Sequence, residues 1–312
     1  MKIDTLVYGA ATVLCSAWLL CPGSSHAARR NFNLSINGKA ESCAQVEVSS
    51  KDGEVAKVVE SLTLTRAEAS QLEMNGGERG NIHVRGWDRP DYSVETCKLA
   101  VAENTASADR MARAISVTHS GGRISFSGPA SSDDGQWQVV FFVHAPRSAS
   151  VDLETKNGPI EVRDLNGSVK VRAINGPVAV SDCTGTVEAH TTNGPIAFAG
   201  DRGDVHLNAQ NGPIALKLQG ESWNGSQLEA RTINGPLAVT LPDNFRTGMR
   251  LETSGNAPLA CSAALCRNAF TDAGRNNRVL QMNGASDTIR LSTENGPVAI
   301  HSTDGKQKER RF

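Results

Sequence analysis

The sequence is poor in aromatic residues, nearly without net charge, and lacks any long hydrophobic run past its first 20 residues. Aromatics make up 4% of 312 residues. A core with so few rings is filled by Val, Ile, Leu and Ala, which suit thin layered β structure better than a deep aromatic-walled pocket. The formal net charge is −1, so no global field draws nucleic acid or an anionic membrane. Past residue 27 no stretch is apolar for long enough to cross a membrane as a helix, and the mature chain is expected to have no span. His83, His119, His144, His190, His206 and His301 have neither metal-ligand spacing nor a Ser/His/Asp signature. The expectation is no catalytic group, no metal and no cofactor.

What is present begins with a leader. Lys2, an apolar stretch from Leu6 to Leu20, the Pro22-Gly23 break and Ser25-His26-Ala27 read as a signal peptide over residues 1–27. The rest is then exported, to the periplasm, the cell surface or the medium. An exported chain permits disulfides. Cys43 with Cys97 and Cys261 with Cys266 are possible pairs. Cys183 shares its place in a repeat with Leu165 and Ile174, so it reads as a small buried apolar residue.

The repeat dominates the rest. Residues 148–219 write out in rows of nine, with Gly second in each row after the first and Val or Ile always fourth. The fourth positions include Val151, Ile160, Val169, Val178, Val187, Ile196, Val205 and Ile214. The sixth is again apolar and the fifth polar or small, so each row holds one short strand with one buried face. Pro159, Pro177, Pro195 and Pro213 recur every 18 residues. Two unlike rows therefore make one coil. The Gly supplies a positive φ or a close backbone approach. Stacked coils would place Asn157, Asn175, Asn193 and Asn211 in a row able to bond amide to amide. The turns are Asn157-Gly158, Asn175-Gly176, Asn193-Gly194 and Asn211-Gly212, resumed at Asn234-Gly235 and Asn295-Gly296 after breaks near Trp223 and over 242–278.

The expected fold is all-β: a parallel β-solenoid, or β-helix, of ~18-residue coils. A β-rich section over 28–147, with one short helix after Ser107, leads into the solenoid over 148–304. A polar tail covers 305–312.

Gly80-Asn-Ile-His-Val-Arg-Gly-Trp-Asp88, the alternating strand to Lys98, the helix, then Phe141–Pro146 and Val151-Asp-Leu-Glu-Thr155 before the Gly-x-Ile-x-Val rows resemble the putative-adhesin domain family over roughly residues 75–300. The resemblance implies a β-solenoid in a bacterial exported or envelope protein and carries over no catalytic residue.

Two functions compete. One is a non-enzymatic adhesin-like or scaffold module whose repetitive face meets a glycan or envelope protein. The other is a carbohydrate-active enzyme, a lyase or hydrolase, which needs carboxylates or a base meeting in a groove. Glu161, Lys170, Glu188 and His206 at the fifth positions, with Lys217 two residues after a fifth position, read as a mixed, solvated face. Arg202-Gly203-Asp204 falls in register with the turns, where the Gly is required anyway.

Overall fold

The computed structural model describes residues 33–36, 40–130, 135–254, 257–273, 277–284, 288–303 and 310–311. The expected leader and most of the 305–312 tail lie outside the described residues.

A hairpin comes first: β1 (Asn33–Ile36) and β2 (Val46–Ser49), with a short helical turn over Cys43–Gln45 before β2. Then follow β3 (Glu54–Leu64), β4 (Gln71–Asn75), β5 (Gly80–Trp87) and β6 (Tyr92–Ala102). Helix α1 (Thr105–Arg113) precedes β7 (Ser116–Ser120), β8 (Arg123–Ser127) and β9 (Gly135–Pro146). The repeat supplies β10 (Ser150–Thr155), β11 (Ile160–Arg163), β12 (Val169–Ala173), β13 (Val178–Ser181), β14 (Thr186–Thr191), β15 (Ile196–Gly200), β16 (Asp204–Ala209) and β17 (Ile214–Leu218). After it come β18 (Gln227–Thr232), β19 (Leu237–Leu241), β20 (Met249–Ser254) and β21 (Leu259–Cys261). The described chain closes with β22 (Phe270–Ala273), β23 (Asn277–Met282), β24 (Ile289–Thr293), β25 (Val298–Ser302) and β26 (Arg310–Arg311).

Successive repeat strands alternate between two long, mostly parallel sheets. Sheet 1 runs β7-β8-β4-β10-β12-β14-β16-β18-β24-β20-β23-β22. Sheet 2 runs β3-β6-β9-β5-β11-β13-β15-β17-β19-β25-β21-β26. Val151, Val169, Val187 and Val205 line up in sheet 1. Ile160, Val178, Ile196 and Ile214 line up in sheet 2. Their side chains are buried in one shared hydrophobic cluster. The described protein is thus mostly β, with one α-helix.

The glycines of the Asn-Gly-Pro turns act through close approach rather than through a positive φ. A Cβ on Gly176 would sit 2.0 Å from the Gly158 carbonyl oxygen, so no larger residue fits there. The Asn side chains bond in a continuous line: Asn175 to Asn157, Asn193 to Asn175, Asn211 to Asn193, Asn234 to Asn211 and Asn295 to Asn234, at 2.8–3.0 Å. Buried threonines brace the same corner. Thr155 and Thr191 each accept from the backbone N–H of the turn glycine three residues on, at 3.0 Å. Thr232 and Thr293 donate to the Gly212 and Gly235 carbonyls.

Strand order departs from chain order at both ends. β4 lies between β8 and β10, and β5 between β9 and β11. Likewise β24 lies between β18 and β20, and β25 between β19 and β21. A strand pair early in the chain and the strand pair near its end are each enclosed on both sides. The repeat-like geometry therefore reaches back to residue 71, within the section that shows no nine-residue rows.

The first part of the chain covers the end of the stack. Ala108, Ala112 and Ile115 carry α1 and the residues after it into the main core. The helix starts two residues before Ser107, because Asn104 caps it by accepting from the Ser107 N–H at 2.9 Å. The hairpin packs on the outer face of sheet 2, where Cys97, Leu99, Val140 and Phe142 meet Cys43, Val46 and Ala40. This second contact explains why β6 and β9 lose alternation: both of their faces are buried there. Cys43 is joined to Cys97 with a Cα separation of 5.5 Å, and Cys261 to Cys266.

Leu165 and Cys183 are both buried, but Ile174 is 42% exposed, so the three do not share one environment. Leu165 and Cys183 end rows of one kind and Ile174 ends a row of the other. Burial pushes the Cys183 thiol up to about 12.

Candidate functional site

Outward residues at the fifth row position differ sharply between the sheets. On sheet 1 the fifth row position gives a lateral line of Glu73, Asp152, Lys170, Glu188, His206, Glu229, Arg290 and Arg250. A second line beside it runs Glu154, Arg172, His190, Asn208, Arg231, Ser292 and Glu252. On sheet 2 the equivalent line is His83, Glu161, Ala179, Ala197, Ala215, Ala238, Ala299 and Ala260. The five charged or polar positions singled out from the rows therefore divide. Lys170, Glu188 and His206 share sheet 1, whereas Glu161 and Lys217 lie on sheet 2. Arg172, His190 and Asn208 occupy the seventh place of every second row, a signal as regular as the fifth place.

Ions on sheet 1 are mostly paired between neighbouring strands or along one strand. Arg123 meets Glu73 at 2.6 Å, Arg172 meets Asp152 at 2.6 Å, and Arg231 meets Glu294 at 2.6 Å. Lys170 lies 3.7 Å from Glu188, and His206 lies between Asp204 at 3.1 Å and Glu229 at 3.4 Å. Such exposed pairs add little stability each. In the second line the Glu154 and Ser292 side chains stand without a partner among the described residues, and between Arg172 and Arg231 two adjacent residues do so. There His190 and Asn208 stand side by side with no side-chain hydrogen bond among the described residues. They border a depression of about 350 Å³. Further depressions lie along the same face, about 540 Å³ beside Glu73 and Asp152 and about 440 Å³ beside Arg250 and Arg290. They form an open track roughly 40 Å long at ordinary interstrand spacing.

One enclosed cluster sits on sheet 2, at the rim of the hairpin. His83 Nδ1 lies 3.0 Å from Glu161 Oε2, its ring stacks on Phe142, and its Nε2 is buried without a partner. Burial opposes ionisation of Glu161, but the His83 hydrogen bond and the Arg163 and His83 charges outweigh it and hold the carboxyl below its usual range. Burial, followed by the Arg85 charge, lowers His144 beside it. The cavity is about 10 Å³, room for about one water and no substrate.

No described group of three or more His, Cys, Asp or Glu side chains is placed to hold a metal ion. No described helix is long and apolar enough to cross a membrane. Glu188 and Glu229 are two strands apart in sheet 1, about 10 Å at ordinary spacing. Both are more than half exposed and each faces a basic partner.

No protein-family model matches the chain, and no curated protein does. Solved structures align over most of their length at low identity. A putative cell adhesion protein from Clostridium sporogenes is 10% identical, with 79% of this chain and 99% of that one covered and a TM-score of 0.32. A putative adhesin from Parabacteroides merdae is 7% identical, with 80% and 97% covered and a TM-score of 0.40. A putative adhesin from Bacteroides fragilis is 10% identical, with 79% and 97% covered and a TM-score of 0.34. Likenesses this low carry no argument about ligand or activity, and the family resemblance remains a resemblance of sequence motifs.

Proposed function

We propose that the chain is an exported, non-enzymatic interaction module, built as a parallel β-solenoid, that holds an extended polar polymer along the outer face of sheet 1. The 18-residue register and the alternation between sheets support the solenoid reading. The Cys43–Cys97 and Cys261–Cys266 bonds support an oxidising compartment outside the cytoplasm.

One observation carries the ligand site: the ion pairing of sheet 1 lapses at His190 and Asn208, in the middle of an open track. Those two side chains keep their hydrogen-bonding capacity for a ligand, between Arg172 and Arg231, which their own carboxylates hold in place. A sugar ring is comparable in size to one interstrand step of ~4.8 Å, so a glycan lying along the stack presents its hydroxyls strand by strand. An envelope glycan is therefore the ligand class proposed.

Isothermal titration of the purified chain against soluble bacterial envelope polysaccharides tests this. The double variant His190→Ala, Asn208→Ala should weaken binding of the best ligand by about ten-fold or more, consistent with the loss of two hydrogen bonds, with an unchanged melting temperature. Equal affinity in the variant, or no binding by the parent chain to any member of the panel, would sink the assignment. Release of reducing ends or unsaturated products from any of these polymers would favour the enzymatic alternative.

A further inference from the structure

β3 ends sheet 2. It is an eleven-residue strand that pairs with β6 along one side only. Its other side carries a row of N–H and C=O groups without a strand partner among the described residues. Natural edges of this length are ordinarily guarded by outward charges, by proline or by a bulge. β3 contains no proline, and its two central charges are turned back onto its own chain. Lys57 Nζ donates to the Cys43 and Val46 carbonyls at 3.0 and 3.2 Å. Glu60 is ion-paired with Lys98. Between them Val59 is 49% exposed, one of three large apolar side chains so exposed among the described residues.

We propose that this edge receives β3 of a second copy of the chain, antiparallel, about a two-fold axis through Val59. Residue 59 is the midpoint of Glu54–Leu64, so this register pairs the whole strand with itself. An axis perpendicular to the sheet keeps each face with its like. On one face Val59 meets the second copy's Val59, Lys57 meets its Ser61, and Val55 meets its Thr63. On the other face Val58 meets Glu60, Ala56 meets Leu62 and Glu54 meets Leu64. No like charges oppose each other, and the outer face gains β-branched pairs. Centring on Glu60 instead would set that carboxylate against its copy. Centring on Val58 would leave residues at the strand ends unpaired.

The pairing would make sheet 2 continuous across both molecules. The same axis turns sheet 1 of each copy to one side, so the two tracks lie on a common surface. That consequence rests on the ligand track proposed above; the pairing itself does not. Two tracks on one rigid body would bind a polymer or a coated surface with avidity that neither has alone.

Sedimentation of the full exported chain is expected to give a dimer. Val59→Lys places two ammonium groups against each other at the axis and should give the monomer mass. Its site is half exposed, so its melting curve should keep a single cooperative transition. Val59→Cys should form a covalent dimer on mild oxidation, seen on a non-reducing gel. A parent chain that is monomeric at the highest attainable concentration would overturn the pairing. So would a dimer that survives Val59→Lys while Val59→Cys fails to cross-link. The His190→Ala, Asn208→Ala variant should still sediment as a dimer, so a failed ligand assignment and a failed pairing give different results. Val59→Lys should leave affinity for short oligosaccharides unchanged and weaken retention on an immobilised polymer.

Discussion

The two sheets share one backbone plan and one core, yet the fifth-position lines on their outer faces have little in common. Sheet 2 shows six alanines in an unbroken lateral line; sheet 1 shows acids, bases and amides at the equivalent places. A stack of strands needs only apolar residues inside and tight corners. Those needs are met equally in both sheets, so they cannot account for the contrast. At the fifth positions, what stability leaves free on sheet 2 is mostly occupied by the smallest side chain with a Cβ, while the outward line beside it carries Arg85, Arg163, Ser181, Ala199, Lys217, Thr240 and His301. On sheet 1 it is occupied by groups that form directed bonds, and the contrast is the physical reason to look for ligand contact there.

The largest expected effect breaks both faces at once. Ile196→Asp buries a carboxylate in the core common to both sheets and should cost more than about 4 kcal/mol, enough to abolish a cooperative melting transition. A variant that melts within a few degrees of the parent would refute the register on which the two faces are defined. An intermediate effect is expected at the corner. Asn193→Ala removes the bonds to Asn175 and from Asn211 and should cost about 1–2 kcal/mol in urea unfolding, by the usual net value of a hydrogen bond. No measurable change would mean that the amide line is incidental to the stacking. The smallest effect on stability sharpens the comparison most. Glu188→Ala makes sheet 1 locally like sheet 2, and Ala197→Glu does the reverse; each should shift stability by about 0.5 kcal/mol or less. Only Glu188→Ala should alter polysaccharide binding. Equal effects of both on binding would mean that sheet 1 holds no privileged place.

The repeat was legible because its physics is local. Gly158, Gly176, Gly194 and Gly212 stand at places where a Cβ would strike the preceding turn, and Val or Ile two residues later returns the chain to the core. Amide contact from Asn157 to Asn211 follows from 18-residue spacing alone. The threonine braces at Thr155, Thr191, Thr232 and Thr293 were visible as Thr-x-Asn-Gly but were hidden by their polarity, which usually signals exposure. The rows do not separate the two outer faces, because alternate rows carry their fifth positions to different sheets. The hairpin contact with sheet 2 and the strand order at each end were not legible. Apart from the Cys43–Cys97 pair, which the cysteines themselves suggest, they depend on contacts across long separations, such as the Cys43 N–H with the Glu95 carboxylate or Leu237 with Val298, which no short pattern encodes.

That strand order has a consequence for how the molecule is made. Synthesis delivers β20 and β21 before β24 and β25 exist, yet the later pair is seated inside the earlier one. Until roughly residue 302 has emerged, β18 and β19 have no neighbour on their open side, and the next strands wait across an empty place. The near-last segment works as a keystone: it is wedged in after its flanks and holds both. Trimming a stacked-strand protein from its free end ordinarily removes one layer and leaves the rest. Here, loss of residues 289–303 would open the stack from within, so the two sheets cannot be completed before residue 302 has been made.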